Sequence, residues 1–378
     1  MKTVIYSLII IIIVALGRLF FAQQNSEPPE PLTTSDNLLS ADNENYARVL
    51  KPRAFVFPQD HGAHPEYHIE WWYFTGILQS SAERKFGYEL TFFRFALTPE
   101  QQKTASKWRD KQMYMAHFAL TDVDAEEFHF AERFSRAGNK LAGAETAKYH
   151  VWLHDWKAEA VDTTDSSIHL DAKTEDFSIS LYLKPEKKIA LQGLDGFSKK
   201  NAQAGNASYY YSYTRMATTG NIQLNLQAFE VSGSSWMDRE WSSASLAAEQ
   251  VGWDWFALQL SDHSELMFYR FRRKDDKQDE NNAGAIFNAD NSKISLTFTE
   301  VDIKVLDHWK SPKTQVSYPA KWHLSIPKLG LELDVTPLTS DQEINVRYRY
   351  WEGAVSVAGK KYDEVINGQG YVELTGYQ

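Results

Sequence analysis

Apolar and polar residues alternate along most of the chain, which is the pattern of half-buried β-strands. Clear examples are the segments KFGYELTFFRFAL, SISLYLK, NIQLNLQAFEV, ISLTFTEVDIKVL and LGLELDV. Turn residues separate these segments at close intervals, and the chain contains 12 Trp, 19 Tyr and 21 Phe. Aromatic side chains favour pleated, half-buried surfaces. The pattern therefore predicts an all-β fold, built as a sandwich or a barrel.

A repeat in the sequence indicates that one β unit occurs twice. The segment Glu89–Phe95 (ELTFFRF) matches Glu265–Phe271 (ELMFYRF) at five of seven positions. Upstream, EWWYFTGILQ pairs with GWDWFALQLS, and Trp72 is expected to fall on Trp255. The alternative is a chance similarity between two aromatic strands. With 378 residues the chain is long enough for two domains.

Residues 1–22 are typical of a secretory signal peptide. Lys2 precedes an apolar run of 13 residues, Val4–Leu16, and the small residue Ala22 precedes a polar segment. Such a run is short for a bilayer span of about 20 residues, although an uncleaved membrane anchor is the alternative. Residues 23–50 are polar and are predicted to form a flexible linker. The sequence thus predicts an exported protein, periplasmic or secreted.

Cysteine is absent and the formal net charge is −10. The first observation excludes disulfides, thiol chemistry and zinc–thiolate sites. The negative charge argues against nucleic acid and against an anionic membrane surface as partners. No nucleophile elbow, phosphate-binding loop or dinucleotide fingerprint occurs in the sequence. We therefore expect no cofactor.

The segment DHGAHPEYHIEWWYFTG is rich in groups that could carry chemistry. His61, His64, His68 and Glu70 are possible metal ligands, but their spacing fits no specific metal site. No metal is therefore expected. His61 and His64 are expected at the entrance to a strand, where they position a ligand or bond to backbone carbonyls.

Strand alternation places acids and indoles together. Glu70 and Trp72 share one face of their strand, with Trp71 and Tyr73 on the other. Asp254 lies between two tryptophans that share the opposite face. Buried carboxylates need partners, and the natural ones end the repeated strands, at Arg94 and Arg270.

The segment WMDREWSS gives a third such arrangement, with Trp236, Asp238 and Glu240 on one face and Arg239 and Trp241 on the other. Two interpretations remain open. In one, the acids are ion-paired inside a barrel. In the other, a desolvated carboxyl with a raised pKa donates a proton to a ligand, while indole rings stabilise the resulting cation. The tyrosines of SYYYSYTR either line a pocket or pack in a core.

Taken together, these segments resemble the AttH/CrtC family, whose best-known members are carotenoid 1,2-hydratases. The resemblance runs nearly from end to end of the mature chain and includes FPQDHGAHPEYHIEWWYFTG, ASYYYSYTR, SGSSWMDREWSS, YWEGAVSVAG and GQGYVELTGY. It implies two tandem lipocalin-like antiparallel β-barrels, over residues 51–243 and 244–378. The chain is most similar to the secreted AttH-type branch, whose members are commonly labelled predicted hydrolases.

The resemblance also implies a chemistry. Proteins of the CrtC type protonate a terminal isoprenoid double bond to a tertiary carbocation, which water then captures. The candidate catalytic residues here are Asp238, Glu240, Glu70, His61 and His64. The candidate ligand-binding residues are Trp71, Trp72, Tyr73, Arg94, His117, Tyr210, Tyr211, Trp236, Trp241, Trp253, Asp254 and Trp255.

Two functions from different classes follow. The first is an exported hydratase-like enzyme or hydrolase that acts on an isoprenoid or lipid ligand in a Trp/Tyr-lined cavity. The second is a non-catalytic envelope module that uses the same cavity to bind or transfer a lipid, with an envelope transport partner. A third, metal-dependent hydrolysis, would require the histidine cluster to bind metal.

Overall fold

The structure of the chain is a computed structural model that describes residues 45–97, 111–161, 166–244 and 246–378. The predicted signal peptide and most of the predicted linker lie outside the described residues. Tyr46 and Val49, near the end of that linker, are buried, and the Tyr46 hydroxyl donates to the carbonyl of Ala96 at 2.7 Å. Within the described ranges, no helix is long and apolar enough to cross a membrane.

The first sheet contains 13 strands and occupies the chain up to Ser242. Its strands are β1 (Ile69–Ser80), β2 (Lys85–Ala96), β3 (Gln112–Asp122), β4 (Glu127–Arg136), β5 (Ala142–Ala144), β6 (His150–Leu153), β7 (Trp156–Ala160), β8 (Ile168–Lys173), β9 (Phe177–Pro185), β10 (Ala190–Leu191), β11 (Phe197–Lys199), β12 (Ala207–Leu224) and β13 (Gln227–Ser242). Their order is β4-β3-β2-β1-β13-β12-β9-β8-β7-β6-β5, and β10 and β11 pair with β12.

The second sheet contains ten strands and begins at Gln250. Its strands are β14 (Gln250–Leu260), β15 (Glu265–Arg273), β16 (Ala283–Phe287), β17 (Lys293–Thr297), β18 (Asp302–Lys310), β19 (Ser317–Ile326), β20 (Leu331–Pro337), β21 (Glu343–Ile344), β22 (Tyr350–Lys361) and β23 (Glu364–Thr375). Their order is β17-β16-β15-β14-β23-β22-β20-β19-β18, with β21 paired to β22. Three short 3-10 turns complete the described elements, at Gln59–His61, Gly138–Lys140 and Pro327–Leu329.

Strand pairing in both sheets is antiparallel and each sheet curls on itself, which confirms the predicted fold of two tandem barrels. Alternation explains why these segments form strands. In β9, Phe177, Ile179, Leu181 and Leu183 are buried in the first core while the residues between them are more exposed. The pattern places one apolar face inside the barrel and one polar face outside it.

Strand β1 and the second half of β13, from Ser235 to Ser242, break that pattern because both of their faces are covered. The even-numbered positions of β1 and the odd-numbered positions of β13 fill the first barrel, as Trp72 and Trp241 do. The opposite faces pack against the second sheet, where Tyr73 and Trp236 join Trp255 in a separate apolar cluster. The outer faces of the two barrels therefore meet along a seam.

The repeat is visible in the strand register. In the first sheet Glu70 lies opposite Arg94, and in the second Asp254 lies opposite Arg270. Each pair forms an ion pair, with shortest N–O distances of 2.8 Å and 2.7 Å. The arginines predicted as partners of these acids are therefore their partners in the structure.

The same register corrects the predicted match between tryptophans. Because Glu70 is equivalent to Asp254, the next residue, Trp71, is equivalent to Trp255, and Trp72 is equivalent to Phe256. The sequence match of Trp72 with Trp255 was wrong by one residue. A slip of one residue reverses the face of a strand, so the two equivalent indoles both point into the seam.

Candidate active site between the two barrels

A cavity of about 220 Å³ lies in the seam. Strands β1, β2, β3, β12 and β13 of the first sheet form one wall, and β14, β15, β22 and β23 of the second form the other. Ring faces and edges dominate the lining: Trp71, Tyr73, Phe93, Tyr210, Trp253, Trp255, Tyr269, Phe271 and Tyr350. The site therefore belongs to neither barrel interior, and both halves of the chain build it.

Asp238 lies on the first wall and is bound by neutral donors. The Ser212 hydroxyl donates to Oδ1 at 2.5 Å and the Trp236 indole donates to the same oxygen at 2.7 Å. The Tyr210 hydroxyl donates to Oδ2. Burial raises the pKa of Asp238 to about 7; hydrogen bonds from Ser212, Tyr210 and Trp236 oppose the rise, and the negative charge of Glu240 adds to it. Near neutral pH this carboxyl holds a proton that it can give up.

Glu240, two residues further along the same face, differs from Asp238 because it forms an ion pair. The Lys200 ammonium lies 2.8 Å from Glu240 Oε1. Lys200 also lies over the rings of Tyr210 and Tyr269, at 5.4 Å and 5.1 Å from their centroids. This buried ion pair occupies a carboxylate oxygen of Glu240, so of the two acids Asp238 is the better proton donor.

The second wall contributes two further carboxyl groups, on Glu352 and Glu373. The Tyr73 hydroxyl, from the first sheet, donates to Glu352 Oε1 at 2.7 Å. The Trp253 indole donates to Glu373 Oε1 at 3.0 Å. Burial raises the pKa of both carboxyls; for Glu352 the charges of Glu373 and Glu89 add to the rise.

These groups form a closed circuit across the seam, in which hydrogen bonds cross between the sheets and paired strand positions relate most of the members within each sheet. Tyr73 lies opposite Asp238 in the β1–β13 register and reaches Glu352 with its hydroxyl. Glu352 lies opposite Glu373 in the β22–β23 register, and Glu373 lies opposite Trp255 in the β14–β23 register.

The Trp255 indole closes the ring by donating to the Tyr210 hydroxyl at 3.2 Å, and Tyr210 in turn bonds to Asp238. Three members come from each sheet. We call this set the inter-sheet ring: Asp238, Tyr73, Glu352, Glu373, Trp255 and Tyr210.

Glu70, His61 and His64, three of the predicted catalytic residues, lie inside the first barrel and do not line the cavity. Glu70 accepts hydrogen bonds from Arg94 at 2.8 Å, Arg239 at 2.5 Å and the His64 ring at 2.8 Å. Burial alone would raise the pKa of Glu70, but the two arginines outweigh it and hold that pKa well below its usual range. Glu70 therefore stays ionised and has no proton to donate at neutral pH.

The two histidines are packed and bonded within the same interior. The His64 ring stacks on Trp241 with a centroid distance of 3.8 Å. His61 Nδ1 lies 2.6 Å from the Tyr211 hydroxyl, and burial, with the nearby Arg239, lowers the pKa of His61 to about 4. Neutral at pH 7, His61 is part of the core.

The structure also divides the predicted ligand-binding residues. Those that line the cavity are Trp71, Tyr73, His117, Tyr210, Trp253 and Trp255. Trp236 contacts the site through its hydrogen bond to Asp238. Those that do not line it are Trp72, Arg94, Tyr211, Trp241 and Asp254. For Trp72, Tyr211 and Trp241 the reason is the pleat, which turns them into the first core. Asp254 pairs with Arg270 and Arg272.

Glu352, Glu373 and Lys200 were not predicted. A signal for the first two exists in the sequence, because each acid interrupts an apolar strand: Trp351-Glu352-Gly353 and Val372-Glu373-Leu374. An acid in such a position needs a special environment. Lys200 has no such signal.

Donor geometry gives no support to a metal site. Across the described parts of the chain, no three His, Asp or Glu side chains are arranged to hold a metal ion. The His64 ring is instead bonded to Glu70 and to Asp60 Oδ1, the latter at 3.1 Å. The cluster is a hydrogen-bonded part of the first barrel.

Comparison with known proteins places the chain in a family. The AttH-like family model matches residues 48–377. The crystal structure of an AttH protein from Nitrosomonas europaea is 35% identical in sequence, covers 88% of this chain and 100% of its own, and superposes with a TM-score of 0.79. No curated protein matches the sequence.

Two more distant structures share the fold. Kievitone hydratase from Nectria haematococca is 14% identical, covers 88% of this chain and 97% of its own, and has a TM-score of 0.67. CghA with Sch210972 is 12% identical, covers 88% of this chain and 97% of its own, and has a TM-score of 0.52. The family match over nearly all of the described chain, together with the 35% identical structure, shows that this protein belongs to the AttH-like family.

Proposed function

We propose that this protein is a hydratase-like enzyme that protonates a carbon–carbon double bond of an apolar isoprenoid or lipid ligand held between its two barrels. Asp238 is the proton donor. The observation that carries the proposal is the setting of this carboxyl: it is buried, bound by neutral donors and placed on the wall of an aromatic cavity.

The reaction needs a proton source and a place for positive charge. Protonation of an alkene leaves a carbocation, which is attracted to the electron-rich faces of aromatic rings. Trp71, Trp255 and Tyr73 present such rings to the cavity that Asp238 also lines. The indoles of Trp72 and Trp241, two of the ligand-binding residues expected from the sequence, contact Arg239 inside the first barrel instead.

A fold shared with kievitone hydratase supports the reaction class by analogy alone, since one fold hosts many functions. The predicted signal peptide supports a place of action outside the cytoplasm. A non-catalytic role in binding or transferring an envelope lipid would use the same cavity, and the experiment below separates the two.

The test uses farnesol, an acyclic isoprenoid with trisubstituted double bonds, incubated with the protein in ¹⁸O-labelled water. We expect ¹⁸O in a hydrated product detected by mass spectrometry. Asp238→Asn should lower the rate by about 10²- to 10⁴-fold, the range for loss of a general acid. Farnesol affinity, measured by tryptophan fluorescence, should stay within about threefold.

Two outcomes would contradict the proposal. Farnesol binding without any product in the wild-type protein would favour lipid binding. Equal losses of affinity, stability and activity in Asp238→Asn would indicate that the carboxyl is structural. Glu230→Gln, on an exposed position of the same strand, is the control and should behave as the wild type.

A further inference from the structure

The second wall of the cavity carries a pair of carboxyl groups that the proton-donor role of Asp238 does not use. Glu352 and Glu373 lie directly opposite each other on β22 and β23. Side chains at such positions point to the same face, with Cβ atoms about 5 Å apart. Glu352 is 1% exposed, and its Oε2 has no hydrogen-bond partner among the described residues.

No cation compensates this pair within the described residues. The single donor recorded for each carboxyl is neutral, Tyr73 for Glu352 and Trp253 for Glu373. The groups that act on the pair from the surrounding strands are acids and phenols: Tyr73, Glu89, Asp238, Glu240, Tyr350 and Tyr371. Two cations, Lys200 and Arg349, also line the cavity; Lys200 is bound to Glu240.

Two carboxyl groups this close, buried and without a counter-ion, cannot both be ionised at low cost. One proton is therefore retained when the other has left. Burial raises the pKa of Glu373 to about 8, so the pair carries a single negative charge as the pH rises toward that value. Its ionised oxygen is then a stronger base than an ordinary exposed carboxylate. Glu89 is one of the acids that act on this pair. Its equivalent in the second repeat, Glu265, is by contrast neutralised by Arg215 at 2.7 Å and Lys187 at 2.5 Å.

We propose that Glu352 and Glu373 form a proton-sharing pair that accepts the proton released when water adds to the ligand, so that the acid and the base of the reaction come from different barrels. This inference rests on the proposed function. The cavity-facing positions of both residues, on the wall across from Asp238, supply the geometry.

The step balances as follows. Asp238 gives its proton to one alkene carbon, which forms a C–H bond, leaves a carbocation on the other carbon and leaves Asp238 as a carboxylate. A water oxygen bonds to the cation and its proton passes to the ionised oxygen of the pair. One water has then been added across the double bond, and one proton has moved from Asp238 to the pair, from which it returns through solvent.

Glu240 is the rival proton acceptor on the first wall. Its Oε1 is held by the Lys200 ammonium at 2.8 Å. A carboxylate in an ion pair gives up its charge reluctantly, because protonation would leave the buried lysine without a counter-ion. The unpaired carboxyls of the second barrel do not have this cost.

The experiment compares Glu352→Gln, Glu373→Gln and the double variant with Glu364→Gln, which makes the same change at an exposed position of β23. Glutamine keeps the shape and neutrality of the protonated acid, so folding should be preserved, as thermal unfolding will verify. With farnesol in ¹⁸O-labelled water, each single variant should lose at least about 100-fold in rate. Affinity for farnesol should change by less than about threefold, and Glu364→Gln should match the wild type.

A shared proton makes a further demand that a structural role would not. The effects of two residues that act as one unit are not additive. The rate of the double variant should therefore lie within about threefold of the rate of either single variant. In the infrared titration of the protonated carboxyl band, removal of either partner should lower the midpoint of the other, because a like charge is gone.

The outcomes separate this inference from the proposed function. If the wild type hydrates farnesol, Asp238→Asn does not, and both glutamine variants stay within tenfold of the wild type, the pair is not the base and the donor role of Asp238 stands. Additive losses or an unchanged titration midpoint would equally overturn the shared proton. If the wild type forms no product, both proposals fall.

Discussion

Glu70 and Asp238 are two buried carboxyl groups on paired strands, and they differ in almost every property that matters for chemistry. Glu70 faces the first barrel and is bound by two guanidinium groups and an imidazole. Asp238 faces the seam and is bound by two hydroxyls and an indole. The pKa of Glu70 is held below its usual range, whereas that of Asp238 is raised to about 7.

The difference shows that burial alone does not make a proton donor. Desolvation raises the pKa of both groups, and the charge of the partners then decides the direction. Cationic partners fix Glu70 as a permanent anion that holds strands together. Neutral partners leave the Asp238 proton in place and available near pH 7.

Replacing the two carboxyls should change the free energy of unfolding by very different amounts, and this is the largest expected effect. Glu70→Gln leaves Arg94 and Arg239 buried with less counter-charge, so the free energy of unfolding should fall by about 3–5 kcal/mol. Asp238→Asn breaks no ion pair and should change it far less. Urea denaturation of both variants at pH 8 measures the difference. Equal losses would mean that Asp238 is as structural as Glu70.

The sign of the pH dependence sharpens that experiment. A raised pKa means that the folded protein binds the Asp238 proton more tightly than the unfolded chain does. The stability this contributes is present at low pH and is lost as the pH rises from about 4 through about 7. Asp238→Asn should therefore compare better with the wild type at pH 8 than at pH 5.

Adjacent tryptophans on opposite faces give the second test of the comparison. Trp72 is 1% exposed inside the barrel, with the Arg239 guanidinium 4.0 Å from its ring centroid. Trp72→Ala should lower the free energy of unfolding by about 3–5 kcal/mol. Trp71 lines the cavity and stacks near Trp253. Trp71→Ala should cost less in stability and weaken farnesol binding by about three- to tenfold. The reverse result would place the ligand inside the barrel.

Adjacent tyrosines give the third and smallest effect. Tyr210→Phe removes a hydrogen bond that lowers the pKa of Asp238. The pKa should then rise, and the alkaline limit of the pH–rate profile should move up by about one unit or less. Tyr211→Phe is the matched control, because this hydroxyl bonds to His61 inside the barrel. A downward shift, or the same shift in both variants, would contradict the role assigned to Tyr210.

Much of the fold could be predicted from the sequence, because alternation and the ELxFxRF repeat are local signals. The pairing of Glu70 with Arg94 and of Asp254 with Arg270 followed from the same repeat. Alternation also placed Asp238 and Glu240 on one face, opposite Trp241. It does not say which face points into a barrel, and for that reason Glu70 was grouped with Asp238.

The rest of the site depends on contacts between distant parts of the chain. Glu352 and Glu373 follow Asp238 by more than one hundred residues, and only the packing of one barrel on the other brings them to the same cavity. The alternation within single strands does not show how one sheet packs against the other. Lys200, in the segment after β11, is likewise placed by tertiary packing.

The seam has a consequence for how proteins with this architecture diversify. Each barrel interior is filled by its own hydrophobic core, whereas the cavity is lined by outward-facing residues. Substitutions that reshape the cavity therefore leave both cores intact. Duplication of a β unit thus supplies a stable frame together with a separate recognition surface, on which selection can act without sacrificing foldability.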